Sequence, residues 1–399
     1  MKIALACPAS LPATQFGGIL FLAVDIAKNL SNSGHDITIY TTDLDFANNP
    51  KTFNKLLPRI EQVDNFKICR SHTWLSIRLF YINPGMYRQL KKDDPDLIHI
   101  IGVRSFQALI ATLISIRKKI PLVVSDQGGL TTHPDLQTSN FLHRVLFKIQ
   151  MPLIQFIINH ASLVIAANEY EKKIFEEFCD ASKIIVIRNG IDRNIMNSSG
   201  INFKEKYKIT EDFILFLGRF HKVKGIDILL QATSMIKDDL LNLHTKLVIM
   251  GVDFGFESDM LHMIDDLQIS EIVYVIKNPP RQDVLSAYNE SKFLVLPSRW
   301  ELSPLTPLEG FAFKKTVIST TSHGIPYTID NGMNSVLVPP EDPKSLANAI
   351  LTLLKNPQKC LEYGKNGYDL VQKICNSNEM TNHILSAYTK ILNQKQTNN

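Results

Sequence analysis

Four charged side chains mark the part of this 399-residue chain where chemistry is most readily imagined. Glu301 and Glu309 stand eight positions apart in the stretch Ser298–Phe311. Arg219 and Lys224 lie in Gly218-Arg219-Phe220-His221-Lys222-Val223-Lys224-Gly225. Carboxylates accept hydrogen bonds from hydroxyls, whereas a guanidinium fork and an ammonium point charge suit a diphosphate. An exposed basic turn is the plainer account of the second stretch taken alone. Two acceptors beside an anion site point to a phosphorylated polyol, with one carboxylate for ribose hydroxyls and one for a sugar.

The surrounding pattern supplies elements to hold these groups. Phe293–Leu296 is an apolar run that reads as a buried parallel strand. Pro307 is tolerated in a first helical turn, and Leu308, Phe311 and Ala312 recur at helical spacing, so a helix should begin near Thr306. Glu309 then lies inside the helix and Glu301 in the loop before it. A helix N-terminus after a parallel strand offers N–H groups and partial positive charge to a phosphate. Likewise Phe213–Leu217 reads as a strand running into the basic stretch, with helical periodicity from Ile226 to Ala232. Further strands are predicted at Lys246–Gly251, Ile272–Ile276, Thr316–Ser319 and Ser335–Val338, and helices at Leu346–Leu354 and Met380–Leu392. Asn393–Asn399 is expected to be disordered.

The first half repeats the strand–helix alternation. Lys2–Cys7 is a strand, a loop with Pro12, Gly17 and Gly18 follows, and a helix through Leu22, Ile26 and Leu30 runs to Gly34 before the strand Ile37–Thr41. The paired glycines either let backbone N–H groups approach an anion or sugar, or form a simple flexible turn. G-x-G-x-x-G is missing, which counts against a dinucleotide dehydrogenase. Asp96–Ile101, Leu122–Ser125, Leu163–Ala166 and Ile184–Ile187 read as further strands, and Asn194–Asp212 as a polar linker with a short helix. The amphipathic segment Ser139–Ala161 is preferred as a core-packed helix kinked at Pro152; the alternative lays it on a membrane surface, with Arg144 and Lys148 at lipid phosphates.

Composition fits a soluble globular protein of two domains, with 45% hydrophobic residues. The five cysteines are widely spaced without C-x-x-C, so neither a zinc site nor a disulfide framework is indicated and a reducing cytosol fits best. Pro8 and Pro12 interrupt the apolar start, which reads as a first strand rather than a signal peptide. No run of apolar residues is long enough for a transmembrane helix. Residues 1–200 hold 22 Lys+Arg against 17 Asp+Glu, a small excess that an anionic partner would feel.

Glu301, seven residues, Glu309, then Gly310-Phe311-Ala312 resembles the E(x)7E signature of the retaining glycosyltransferases of family 4, also called group 1. Gly17-Gly18, Gly34-His35-Asp36-Ile37-Thr38, Asn189-Gly190-Ile191-Asp192 and Gly218-Arg219 through Lys224-Gly225 are similar to that family's other motifs, in the same order, so the resemblance covers essentially the whole chain. It implies an α/β, GT-B fold: two Rossmann-like, doubly wound parallel-sheet domains facing a central cleft. Residues 1–195 would be the acceptor-side domain, joined by the C-terminal helix at about 380–392, and residues 205–379 the nucleotide-sugar domain.

The resemblance further implies transfer of a hexosyl unit from a nucleoside-diphosphate sugar to an acceptor hydroxyl, in glycan, polysaccharide or glycolipid synthesis. Arg219 and Lys224 would then face the leaving diphosphate, Glu309 the ribose and Glu301 the transferred sugar. Gln127 stands where the family usually has a histidine against that sugar; it can hydrogen-bond a hydroxyl but cannot become a cation. Gly17 and Gly18 would lie against donor phosphate and acceptor, and Lys277 and Asn278 would meet the base through backbone atoms. Where the family commonly has Phe-Gly this chain has Ser303-Pro304, so phosphate N–H contacts fall to Leu305 and Thr306. No Asp-x-Asp metal motif stands in the matching places, and no metal or cofactor is expected beside the donor. The implied partners are a nucleotide sugar and a glycan or lipid-linked acceptor, with no nucleic acid; the mildly basic first half and the amphipathic Ser139–Ala161 segment add the expectation of peripheral association at the cytoplasmic face of a membrane. A nucleotide-sugar epimerase of the same fold and a non-catalytic GT-B binding subunit are the rival readings.

Overall fold

The computed structural model describes residues 1–45, 52–77, 80–132, 134, 141–193, 195, 200 and 202–397. The chain divides into two compact units, Met1–Asn189 with Ser377–Asn399, and Gly190–Asn376.

In the N-terminal unit the strands are β1 (Lys2–Ala6), β2 (Asp36–Thr42), β3 (Ile60–Val63), β4 (Phe66–Ser71), β5 (Leu75–Ile77), β6 (Phe80–Ile82), β7 (Leu97–Ile101), β8 (Leu122–Ser125), β9 (Leu163–Ala166) and β10 (Ile184–Val186). The helices are α1 (Gly18–Asn32), α2 (Gly85–Asp93), α3 (Phe106–Lys118), α4 (Phe141–Asn159) and α5 (Glu169–Glu176). Eight strands form one sheet in the order β10-β9-β8-β7-β1-β2-β4-β3, parallel except for the antiparallel edge strand β3. Parallel strands need helical crossovers that cover both faces, which is why β1, β7 and β8 are apolar and buried almost throughout. β5 and β6 pair only with each other.

The C-terminal unit contains α6 (Phe203–Tyr207), β11 (Asp212–Leu217), α7 (Ile226–Met235), α8 (Lys237–Asn242), β12 (Thr245–Gly251), α9 (Glu257–Asp266), β13 (Val273–Lys277), α10 (Arg281–Glu290), β14 (Leu294–Leu296), α11 (Leu305–Ala312), β15 (Val317–Thr320), β16 (Ser335–Val338), α12 (Pro343–Lys355) and α13 (Pro357–Lys373). Its all-parallel sheet runs β13-β12-β11-β14-β15-β16. Counted within the unit this is the order 3-2-1-4-5-6, whose reversal between β11 and β14 opens a crevice at the strand C-termini.

The last helix, α14 (Ser377–Thr397), belongs to the first unit. Met380, Ile384, Tyr388 and Ile391 enter a core with Ile3, Leu5, Leu22 and Ile39. The Tyr388 hydroxyl lies 2.6 Å from Nδ1 of the buried His99, whose Nε2 is 3.1 Å from Ser125 Oγ. Burial pulls the His99 imidazole down to about 3, so the ring is neutral and this clamp carries no charge.

One expectation is overturned. The terminal residues from Asn393 to Thr397 continue α14 instead of being disordered, since polar residues outside the core still propagate a formed helix. Strands β3, β5 and β6 leave little mark in the sequence, because β3 alternates polar and apolar residues at an edge and the hairpin strands are three residues each. The helix α11 starts at Leu305, in keeping with the expected start near Thr306. As for the Ser139–Ala161 segment, Ile154, Ile157 and Ile158 are fully buried, so its C-terminal half packs in the core; residues 139 and 140 and the Arg144 side chain lie outside what is described. Much of the linker expected at Asn194–Asp212 also lies outside the described residues. No helix among the described residues is long and apolar enough to cross a membrane.

Candidate functional site

The loops that leave β11 and β14 at the sheet's reversal carry Arg219, Lys224 and Glu301. They are fastened to each other by backbone. Gly225 has φ +68, and the Pro297 carbonyl oxygen stands 2.1 Å from where a Cβ would be, so only glycine allows the approach. Arg299 extends the join: its N–H donates to the Val223 carbonyl at 2.8 Å, and its guanidinium reaches the Lys222 carbonyl at 2.6 Å and both oxygens of Asp227 at 2.6 and 2.7 Å. On the far side Gly324 donates its N–H to the Glu301 carbonyl at 3.0 Å, with the Leu302 carbonyl 1.7 Å from its Cβ position.

These fixed backbones set the side chains. The Lys224 ammonium forms an ion pair with Glu301 Oε1, and Ser298 Oγ donates to the same oxygen at 3.1 Å. The two side chains are 19% and 17% exposed, so Lys224 is not part of an exposed basic turn. A small cavity is lined by Lys224, Ser298, Glu301, Pro304, Thr306 and Ser319. Arg219 is half-buried, with its guanidinium carbon 4.9 Å from the Phe254 ring centre.

Helix α11 enters the same cavity with its N-terminus. Its cap residue is Pro304, extended at φ −68 and ψ 131, and no side chain caps the helix. Leu305 and Thr306 supply first-turn N–H groups, whereas Pro307 supplies none. Deeper along the helix, Glu309 is clamped from α10. Arg281 donates to its two oxygens at 3.2 and 2.5 Å, and the buried Tyr288 hydroxyl donates at 2.8 Å. Burial, and then the Glu309 charge, raise the Tyr288 phenol well above its usual range, so it stays a donor. Neither Arg281 nor Tyr288 was singled out from sequence. Their spacing of two helical turns puts them on one face of α10, a signal that is usable only once α10 is known to pack beside α11.

Lys277 and Asn278 present less than expected. The Lys277 ammonium pairs with Glu257 at 2.7 Å, and the Asn278 N–H donates to the Gly251 carbonyl at 2.8 Å. A base at this position would find the Asn278 N–H already used.

Gln127, Gly17 and Gly18 belong to the N-terminal unit. Gly17, at φ +105, precedes the first residue of α1, Gly18, and no side chain caps that helix. Gln127 follows β8 in the left-handed region at φ 59. Its side-chain amide is paired reciprocally with Asn189 at 3.0 and 2.8 Å, so one N–H and one lone pair remain for a ligand. Beneath it lie two buried carboxylates. Asp126 accepts from the N–H groups of Val103, Gly128 and Leu130 at 3.1, 3.0 and 2.8 Å. Glu171 accepts from Gln127 N–H at 3.2 Å and Ala167 N–H at 2.6 Å.

Burial raises the Glu171 carboxyl from its ordinary 4.5 to about 8, opposed by the Ala167 N–H and aided by the Asp126 charge. The folded chain therefore holds a proton there that the unfolded chain has released. Stability should fall as pH rises from about 4.5 to about 8 and level off above it. Glu171→Gln should flatten that fall, by roughly a few kcal/mol across the range, when melting temperature is followed against pH. An unchanged slope in the variant would contradict the assignment.

Two family models match the chain: Glycosyl transferases group 1 over residues 200–370 and Glycosyltransferase Family 4 over residues 16–194. An uncharacterized glycosyltransferase of Methanocaldococcus jannaschii is 26% identical over 71% of this chain and 72% of its own length. A D-inositol 3-phosphate glycosyltransferase of Corynebacterium aurimucosum is 23% identical over 55% of each chain. Among solved structures, Anabaena HepE in complex with UDP has a TM-score of 0.76 at 18% identity, covering 98% of this chain and 100% of that one.

Proposed function

Because the chain belongs to the group 1, family 4 glycosyltransferases of GT-B fold, we propose that it is a retaining enzyme that moves a hexosyl unit from a nucleoside-diphosphate sugar to an acceptor hydroxyl in glycan, polysaccharide or glycolipid synthesis. The observation that carries this reading is the Lys224–Glu301 pair beside the uncapped N-terminus of α11. A cation and a helix N-terminus for phosphate stand next to a carboxylate for sugar hydroxyls, which is the order of groups along a nucleotide sugar.

In this reading residues 205–379 bind the donor and residues 1–195 serve the acceptor. Lys224 and Arg219 offset the negative charge that grows on the diphosphate as the glycosidic bond breaks. Leu305 and Thr306 donate backbone N–H groups to the same phosphates. Glu301 orients the sugar through its hydroxyls. A carboxylate has about four lone-pair sites, of which Arg281 and Tyr288 take three on Glu309, leaving one for a ribose hydroxyl in a fixed direction. Gln127 uses its remaining N–H and lone pair on the far side of the sugar, and Gly17 and Gly18 let backbone approach donor phosphate and acceptor. Lys277 and Asn278 flank the base. The two cations supply the charge a divalent ion otherwise brings, so turnover is proposed to be metal-independent. The cysteines are all free, in keeping with a cytoplasmic enzyme. A UDP sugar is the first donor to test, given the UDP bound by the Anabaena relative in fold.

Nucleotide release, followed with and without candidate acceptors and with a chelator, tests the reading. Acceptor-dependent release that survives the chelator, with a product of the donor's anomeric configuration by NMR, is expected. Donor conversion without acceptor would favour an epimerase, and donor binding without any turnover a binding subunit.

A further inference from the structure

Five large apolar side chains within a short stretch of the N-terminal unit face solvent: Leu56 (91% exposed), Ile60 (68%), Trp74 (74%), Leu75 (53%) and Ile77 (48%). Scattered apolar residues are ordinary on a surface, but a concentration of this kind is not. Leu75 and Ile77 lie on one face of the β5–β6 hairpin, opposite Ile82 and Phe80, so the four described strand residues of that face are apolar, with the Phe80 ring 6.2 Å from that of Phe106. Tyr81 points the other way and is fully buried, with the Phe53 and Phe16 rings 5.3 and 6.4 Å away.

The same contacts bring the Lys55–Ile60 segment beside the hairpin. Phe53 packs on Tyr81, Asn54 N–H donates to the Asp43 carbonyl at 2.9 Å, and Asp43 Oδ1 accepts from Thr73 N–H at 2.9 Å, next to Trp74. Lys55 and Arg59 are exposed next to Leu56 and Ile60 in the chain. Of the other described cations in this stretch, Lys67 pairs with Asp36 at 3.2 Å and Arg70 is buried against Glu61, so Lys55 and Arg59 are the charges this surface presents. Both segments leave the C-terminal ends of β2 and β4, the sheet edge that also carries the Gly17 loop after β1, and Phe16 of that loop is the residue against Tyr81.

We propose that this surface, Lys55–Ile60 with Trp74–Ile77, docks the enzyme on an anionic lipid bilayer. Trp74, Leu75 and Ile77 enter the headgroup and acyl boundary, where an indole is favoured, and Lys55 and Arg59 meet lipid phosphates. A second copy of the chain is a poorer occupant, because a two-fold contact would set these cations against one another. The inference rests on the proposed reading only in that it makes the acceptor lipid-linked and presents it at the Gly17 loop; docking itself is independent of turnover.

The chain has two tryptophans, and Trp300 is buried, so Trp74 is the exposed reporter. The full chain, mixed at low salt with phosphatidylcholine vesicles with and without phosphatidylglycerol, should co-sediment with the anionic ones, and its fluorescence should shift to the blue. Lys55→Glu with Arg59→Glu should weaken partitioning by more than about tenfold, and Leu75→Ser with Ile77→Ser should abolish the blue shift while melting temperature and donor-induced stabilisation are retained. No partitioning, partitioning that neither variant changes, or a concentration-dependent dimer dispersed by Leu75→Ser with Ile77→Ser would overturn the proposal. Donor binding in the same samples reports separately on the glycosyltransferase reading.

Discussion

Lys224→Ala should lower kcat/KM by roughly a hundredfold to a thousandfold, the effect typical of removing one preorganised donor that faces charge growing in a transition state. Two terms add. The ammonium no longer offsets the leaving diphosphate, and Glu301 loses the cation that holds it, keeping Ser298 at 3.1 Å. Arg219→Ala removes only the first term and should fall at the lower end of that range, its cation–π contact with Phe254 being a minor loss. Steady-state kinetics with saturating acceptor check both, with melting temperatures to confirm folding. Near-wild-type kinetics in the two variants would remove the phosphate assignment.

The two carboxylates should separate just as clearly. Glu309→Gln should weaken nucleoside diphosphate and intact donor alike, since both contain the ribose. The loss should be on the order of ten- to a hundredfold, the range of a hydrogen bond to a charged group. The structure adds a reason: without the charge, Arg281 and Tyr288 no longer fix one carboxylate direction. Glu301→Gln should leave nucleoside diphosphate affinity almost unchanged while turnover drops by a similar factor or more, because its contacts are to the sugar that changes charge during reaction. Calorimetric titration with nucleoside diphosphate, beside kinetics, distinguishes the variants. Equal losses of nucleotide affinity would show the roles to be divided wrongly.

What the sequence makes legible follows from local physics. Continuous apolar runs such as Leu122–Ser125 and Lys246–Gly251 announce parallel strands because both faces are covered, and the helices between them carry their own periodicity. Glu301, Glu309, Arg219 and Lys224 are conspicuous because short motifs of fixed spacing carry them. The partners of those residues are not. Arg281 and Tyr288 reach Glu309 only because α10 packs near α11, and Asn189 reaches Gln127 across 62 positions of chain. Arg299 stands inside the central stretch, yet its bond to Asp227 depends on β11 and β14 being neighbours in the sheet. The edge strand β3 and the β5–β6 hairpin escape notice because their apolar residues are short in run and several of them, Ile60, Leu75 and Ile77, face solvent, which no core pattern encodes. Tertiary proximity, rather than propensity, decided each of these.

The central claim is that the C-terminal unit grips a nucleotide sugar through Lys224, Glu301 and Glu309, and donor-induced stabilisation tests it most directly. Wild-type and Lys224→Ala proteins would be melted in the presence of UDP-, GDP- and ADP-sugars. Ligand that binds only the folded chain raises its melting temperature by simple linkage. One donor class should raise the melting temperature of the wild type with saturating concentration dependence, and the rise should shrink sharply in Lys224→Ala. No rise with any of the three, or an equal rise in both proteins, would contradict the account.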